Sequence, residues 1–168
     1  MQKDPKIVAQ LAAAQEDENW QFRTFLKHSS ISTDRLNAIA HEFGRAAEIQ
    51  MDCTTCGACC RDNCIPLSGE EITQLAQAAG LSVDEFTSTC MTTDDDGEPA
   101  MLAQPCRFLT GNRCDIYESR PDACRGYPYI GDDIRSRMIG ILERAAVCPI
   151  VFEMLERLKA AMSFRPFR

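Results

Sequence analysis

Between residues 53 and 60 the chain reads Cys53-Thr-Thr-Cys56-Gly-Ala-Cys59-Cys60, two overlapping Cys-x-x-Cys units closed by an adjacent cysteine. No other feature restricts the fold as much. Two intervening residues let a turn aim both sulfurs at one ion while backbone N–H groups point at them. Gly57 supplies the freedom such a bend needs. The loop does not close a shell by itself, because neighbouring Cys59 and Cys60 point different ways, so thiols from elsewhere must complete it. Cys106 and Cys114 flank the turn Thr110-Gly111-Asn112, which sets their sulfurs side by side at the ends of a hairpin. Cys124 follows the Arg120-Pro121 turn, and Cys148 stands directly before Pro149. A remote Cys-Pro that completes a clustered run occurs in iron–sulfur proteins. The plainer reading places Pro149 in the first turn of a helix.

Single buried cysteines are common in protein cores, but the chain has ten, clustered in this way. Met1 to Ala14 lacks the charged start and continuous apolar stretch of a secretory signal, so a cytoplasmic protein is expected. Disulfides do not persist there whereas metal thiolates do. Cys90, on a helix without a companion motif, is expected in the core, and Cys64 as a supporting ligand at most. Arg61, Arg107, Arg113 and Arg125 each sit beside a cysteine, Arg120 lies nearby, and no lysine occurs between Lys27 and Lys159. Guanidinium groups suit the outer surroundings of a thiolate site, where they offset its negative charge.

The formal charge of -7, with no basic block, excludes nucleic acid as a partner. The longest nearly apolar run, Ala145 to Phe152, is far short of the roughly 20 residues a membrane span needs. A metal ion is the expected partner, and a protein partner stays open. His28 and His41 lie in no ligand or acid–base motif. Asp94 to Asp96 lacks the alternating spacing and final glutamate of a calcium loop, and reads as a solvated loop.

Length and ordinary globular composition predict a mainly α fold with a small β-hairpin, a compact helical domain organised around a cysteine metal centre. Residues 1–51 read as an N-terminal helical segment. Thr33 is its expected N-cap, followed by an apolar stripe of Leu36, Ile39, Ala40, Phe43, Ala46 and Ala47, and Trp20, Phe22 and Phe25 mark an earlier helix. Residues 52–150 form the cysteine-cluster domain. In it the capping boxes Ser68 with Glu71 and Ser82 with Glu85 start two helices, with Gly80 as the stop between them and the second reaching about Met91. Ala100 to Gln104 reads as a strand, Arg120-Pro121 as the start of a brief helix, and the stretch from Asp132 onward as helical. Residues 151–168 form a C-terminal helix and tail packing on that domain.

The segments Cys53-Thr-Thr-Cys56-Gly-Ala-Cys59-Cys60-Arg61, Pro105-Cys106-Arg107-Phe108-Leu109, and Cys114 through Tyr117-Glu118, Arg120-Pro121 and Cys124-Arg125 to Tyr127-Pro128 together resemble one family. It is the YkgJ-like cysteine-cluster (CxxCxxCC) family of zinc- or iron-chelating proteins, and the likeness covers roughly residues 50 to 150. The resemblance implies eight ligand cysteines: Cys53, Cys56, Cys59, Cys60, Cys106, Cys114, Cys124 and Cys148. A similar segment occurs in flagellin lysine methylases, which use S-adenosylmethionine. Those chains are longer, and no glycine-rich strand-to-helix turn for that cofactor is found here. The resemblance implies a metal centre, not a reaction. Eight thiolates suit zinc or an iron–sulfur cluster, and spacing does not separate the two. Three roles follow: a structural or metal-handling protein, an iron–sulfur oxidoreductase or electron carrier, and a thiol-based redox switch.

Overall fold

Most long helices begin on side chains that answer their free N–H groups. Helix α1 (Pro5–Ala14) starts on Asp4, whose carboxylate accepts from the Lys6 N–H. Helix α2 (Glu16–His28) opens on Glu16, Asp17 and Glu18 and ends on Lys27 and His28, the polarity its dipole favours. Helix α3 (Thr33–Glu48) is capped by Ser32 rather than the expected Thr33. The Ser32 hydroxyl accepts from the Arg35 N–H at 3.3 Å, which makes Thr33 the first helical residue. The cysteine run then folds as two single turns, α4 (Cys53–Cys56) and α5 (Cys59–Asp62), leading into strand β1 (Cys64–Pro66). Helices α6 (Gly69–Ala79) and α7 (Val83–Cys90) carry both expected capping boxes, and Gly80 ends α6 at φ 69°. Strands β2 (Met91–Thr93), β3 (Pro99–Leu102), β4 (Leu109–Thr110) and β5 (Arg113–Cys114) follow, then a 3₁₀ turn at Tyr117–Ser119. Helices α8 (Asp122–Gly126), α9 (Met138–Ala145) and α10 (Pro149–Ala161) complete the order.

This computed structural model describes residues 1–94, 96–102, 105–131 and 133–167. The strand expected over 100–104 therefore has Ala103 and Gln104 outside the described residues, as is Asp132 at the expected start of the later helices. The fold is mainly α with a small antiparallel sheet and a hairpin. It divides into two compact units, a helical one of Met1–Asp52 with Pro128–Arg168 and a cysteine-bearing one of Cys53–Tyr127.

In the helical unit α10 lies against α3, α9 and α1. It buries Ile150, Val151, Phe152, Met154, Leu155 and Leu158, while α3 buries Leu36, Ala40 and Ala47. Phe164 tilts against Phe22 and Phe25 with ring centroids 5.1 and 5.4 Å apart, which gives two aromatic residues noted in the sequence a packing role. Lys159 is buried and paired, its Nζ 3.0 Å from Glu18 and 2.7 Å from Glu156. Removing both glutamates would leave that charge buried without a partner carboxylate.

In the cysteine unit the sheet order is β1-β3-β2, with Ile65 and Met91 both opposite Met101. Ile65, Leu67, Leu75, Ala76, Phe86, Met101 and Phe108 form its core together with Cys90 and Cys106. Among the described residues no helix is long and apolar enough to cross a membrane.

Candidate metal centre

The hairpin assembles the site. Leu109 pairs with Cys114 across β4 and β5, and the Leu109 N–H also donates to the Cys106 carbonyl at 3.0 Å. Gly111, the first of the two loop residues, has φ 61°, a positive value that a tight two-residue hairpin takes at this position. The Cys106 N–H in turn donates to the Cys60 carbonyl at 2.7 Å, which fastens the cysteine run to the hairpin. The backbone N–H groups of Phe108 and Ile116, two residues further on, favour the thiolate forms of Cys106 and Cys114. Cys124 comes from α8, where the Cys124 and Arg125 N–H groups donate to the Pro121 carbonyl at 2.9 and 3.0 Å.

These elements bring Cys60, Cys106, Cys114 and Cys124 together against one apolar core. Every pair among the four is close enough for one charge to act on the other. Burial, with the negative charge of the neighbouring sulfurs, pushes the thiols of Cys106 and Cys114 up and that of Cys124 to about 12. Cys60 goes the other way: the Cys59 thiol hydrogen-bonds to it and, with Arg61 and Arg120 adding their charge, brings it to about 7 despite burial. Four such thiols without a cation resist losing more than the first proton. A bound divalent ion reverses that preference and deprotonates the thiols that coordinate it.

Arginines hold the surroundings. The Arg61 Nη1 donates to the Gly57 carbonyl at 2.8 Å, while Nη2 donates to Asn112 Oδ1 at 2.7 Å and to the Gly111 carbonyl, so one guanidinium clips the cysteine run to the hairpin turn. Gly57 has φ +63°, and a Cβ there would stand 2.7 Å from Arg61 Nη1 and 3.1 Å from the Asn112 carbonyl oxygen. Both the backbone angle and the close approach require glycine. Arg120 donates through Nε to the Tyr117 carbonyl at 2.7 Å and lies 3.4 Å over the Tyr117 ring. Its charge favours the thiolate forms of Cys60, Cys114 and Cys124. Arg125 gathers the same loop by donating to the carbonyls of Arg120 and Glu118, each at 2.8 Å.

Of the other cysteines, Cys53 is exposed, while Cys56 and Cys59 are half-buried as Cys60, Cys114 and Cys124 are. All three precede Cys60 on the same run, and the Cys59 thiol hydrogen-bonds to Cys60. Cys148 is buried in the helical unit as the N-cap of α10, with Pro149 as the first helical residue, so the proline has a helix-starting role of its own. Cys64 is exposed on β1. Cys90 is in the core, as its lone position on a helix implied, and its sulfur takes a hydrogen bond from Arg107 Nη1 at 3.1 Å. Sequence reasoning singled out Arg61 and Arg107 by adjacency but missed the Arg61–Asn112 clip. The signal for it was weak: an arginine after the run and an asparagine in a turn fifty-one residues later.

As they stand, no three or more His, Cys, Asp or Glu among the described residues are gathered into a group that could hold a metal ion. The four thiols line one patch of core rather than a finished shell. The donors gathered against this core are nevertheless all thiols. Asp94, in the acidic run, is occupied by its own turn, its Oδ1 accepting from the N–H groups of Asp96 and Glu98. Sulfur donors suit zinc or iron rather than calcium or magnesium.

No curated protein and no solved structure matches the chain. Residues 52–149 match the CxxCxxCC family model, described as a putative zinc- or iron-chelating domain. The match takes in the cysteine run, the hairpin, α8 and Cys148, and the chain belongs to this family.

Proposed function

We propose that the cysteine-bearing unit binds a zinc or iron ion through Cys60, Cys106, Cys114 and Cys124, and that the ion locks the fold of that unit. The observation that carries the reading is the convergence of four thiols, from three separate stretches of chain, on one core where each pair is electrostatically coupled. Neutral thiols pack in an apolar core like other small apolar groups; what sets these four apart is their gathering from separate stretches of chain, and four thiolates are the closed set that structural zinc takes. Closing on an ion would fix these short elements together, so binding energy becomes folding energy. Cys53, Cys56, Cys59 and Cys148 are the rest of the set that the family resemblance implies.

A second reading, an iron form that carries electrons, is favoured by the backbone N–H groups of Phe108 and Ile116, which favour negative sulfur at Cys106 and Cys114, and by the Arg120 charge. Such groups stabilise the more reduced, more negative state of a sulfur-ligated iron centre. Metal analysis and absorbance after anaerobic purification decide between the two. Stoichiometric zinc in a colourless protein supports the structural reading, and iron with broad visible absorbance supports the second. Within either, Cys114→Ser should lower bound metal at least tenfold, while Cys90→Ser leaves it unchanged. Equal metal in wild type and Cys114→Ser would remove Cys114 from the centre, and loss in Cys90→Ser would redraw the ligand set.

A further inference from the structure

The cysteine-bearing unit contains two capping boxes that match in sequence pattern and in geometry. In the first, Glu71 Oε2 accepts from the Ser68 N–H and from its hydroxyl, both at 2.8 Å. In the second, Glu85 Oε2 accepts from the same two groups of Ser82, at 2.9 and 2.7 Å. They differ in the other oxygen. Glu71 Oε1 accepts from the backbone N–H of Asp122 at 2.8 Å, fifty-one residues along the chain. Among the described residues, the hydrogen bonds of the Glu85 carboxylate all go to Ser82.

Asp122 is the first residue of α8, the helix that carries Cys124. The residue in the N-cap position is Pro121, which has no side-chain hydrogen-bonding group, and α8 has no side-chain cap of its own. Five residues make too short a helix to hold its shape unaided. The cap that α8 lacks is supplied from α6, by a carboxylate whose pKa is held below its usual value by hydrogen bonds from Ser68 and Asp122.

We propose that Glu71 is a positioning residue for Cys124: one carboxylate starts α6 with one oxygen and holds α8 with the other, fixing the turn that presents this thiol to the metal centre. The inference rests on the metal-binding reading above. It predicts that the two capping boxes, alike as helix starts, differ in their effect on the metal.

Glutamine tests this cleanly, because it keeps the shape of glutamate and serves equally in a capping box but has a single acceptor oxygen. One acceptor suffices at position 85, while position 71 needs two. Glu71→Gln and Glu85→Gln are prepared in the full chain, loaded with zinc or with cobalt(II) as a spectroscopic probe. Zinc loss to a coloured chelator and the cobalt absorption spectrum are then recorded. Glu71→Gln is expected to release zinc about fivefold faster than wild type, the factor that losing one ordinary hydrogen bond gives, with an altered cobalt spectrum. Glu85→Gln is expected to match wild type in both. A second pair, Glu71→Ala and Glu85→Ala, removes both caps and so controls for the stability lost with a helix start. Release should remain faster in the position-71 member. Equal release and equal spectra within each pair, in a wild type that binds metal, would overturn the positioning role alone. A wild type that binds neither of these metals, and no iron either, would overturn the metal reading and this role with it.

Discussion

The helical unit and the cysteine-bearing unit obtain order from different sources. In the first, α3 and α10 run 16 and 13 residues, and each buries a continuous apolar face. In the second, the elements that carry the converging thiols, α5, β5 and α8, run four, two and five residues, and none is long enough to persist alone. They are joined instead by individual ties: the Arg61 clip to the hairpin turn, the Cys106 N–H on the Cys60 carbonyl, and Glu71 on Asp122. Each is worth about 1 kcal/mol. A structural zinc in a small thiolate site is worth about 10–16 kcal/mol of apparent binding energy, an order of magnitude more than any one of them. Long helices rely on apolar burial; short thiol-bearing turns rely on what crosslinks them.

Metal removal is the strongest attempt to break this contrast. Treating the metal-loaded chain with a chelator should abolish hydrogen-exchange protection at Cys106, Leu109 and Asp115, whose N–H groups hold the hairpin and the run together. Protection in α3 and α10 should survive. Retained protection at the three hairpin amides would mean that the cysteine-bearing unit stands without an ion.

Two glycines sharpen the contrast at a smaller scale. Gly57→Ala forces a side chain into a positive-φ position against Arg61 and Asn112, at a cost of about 1–3 kcal/mol, and should speed metal release. Gly44→Ala in α3 meets only the Ile130 side chain, at 3.0 Å and beyond. Its packing cost of about 1–3 kcal/mol is offset by about 1 kcal/mol of helix propensity, and metal content should not change. Thermal unfolding followed with metal analysis checks both. Metal loss in Gly44→Ala would undo the separation.

The mildest change is Arg61→Lys. It keeps the charge beside Cys60 but loses the fork that reaches Gly57 and Asn112 together, for about 1 kcal/mol and a few-fold faster metal release. An unchanged release rate would show that charge, not the clip, is what Arg61 contributes.

Local features were legible in the sequence and long-range ones were not. Both capping boxes, the Gly80 stop, the hairpin turn at Gly111 and the start of α10 at Pro149 depend on residues a few positions apart, and each is where spacing put it. The exception is the cap of α3, where Ser32 and Thr33 are chemically near-equivalent neighbours and only the hydrogen bond to Arg35 separates them. Strands β1 and β2 were invisible because three residues are too few to show alternation, and their pairing with β3 is non-local. For the site, spacing pointed to thiols but not to the fact that Cys60, Cys106, Cys114 and Cys124 share one core while Cys53 stays exposed. Adjacency along the chain pointed to Arg61, Arg107, Arg113 and Arg125, yet Arg120 is the arginine whose charge reaches three of the four thiols. The second oxygen of Glu71 had no sequence signal at all, since Asp122 takes part through its backbone.

X-ray absorption at the zinc and iron edges of the purified chain reads directly what surrounds the metal. A first shell of four sulfurs, at about 2.3 Å if the ion is zinc, is the predicted result. A shell dominated by nitrogen or oxygen, or a folded protein that holds neither zinc nor iron, would contradict it.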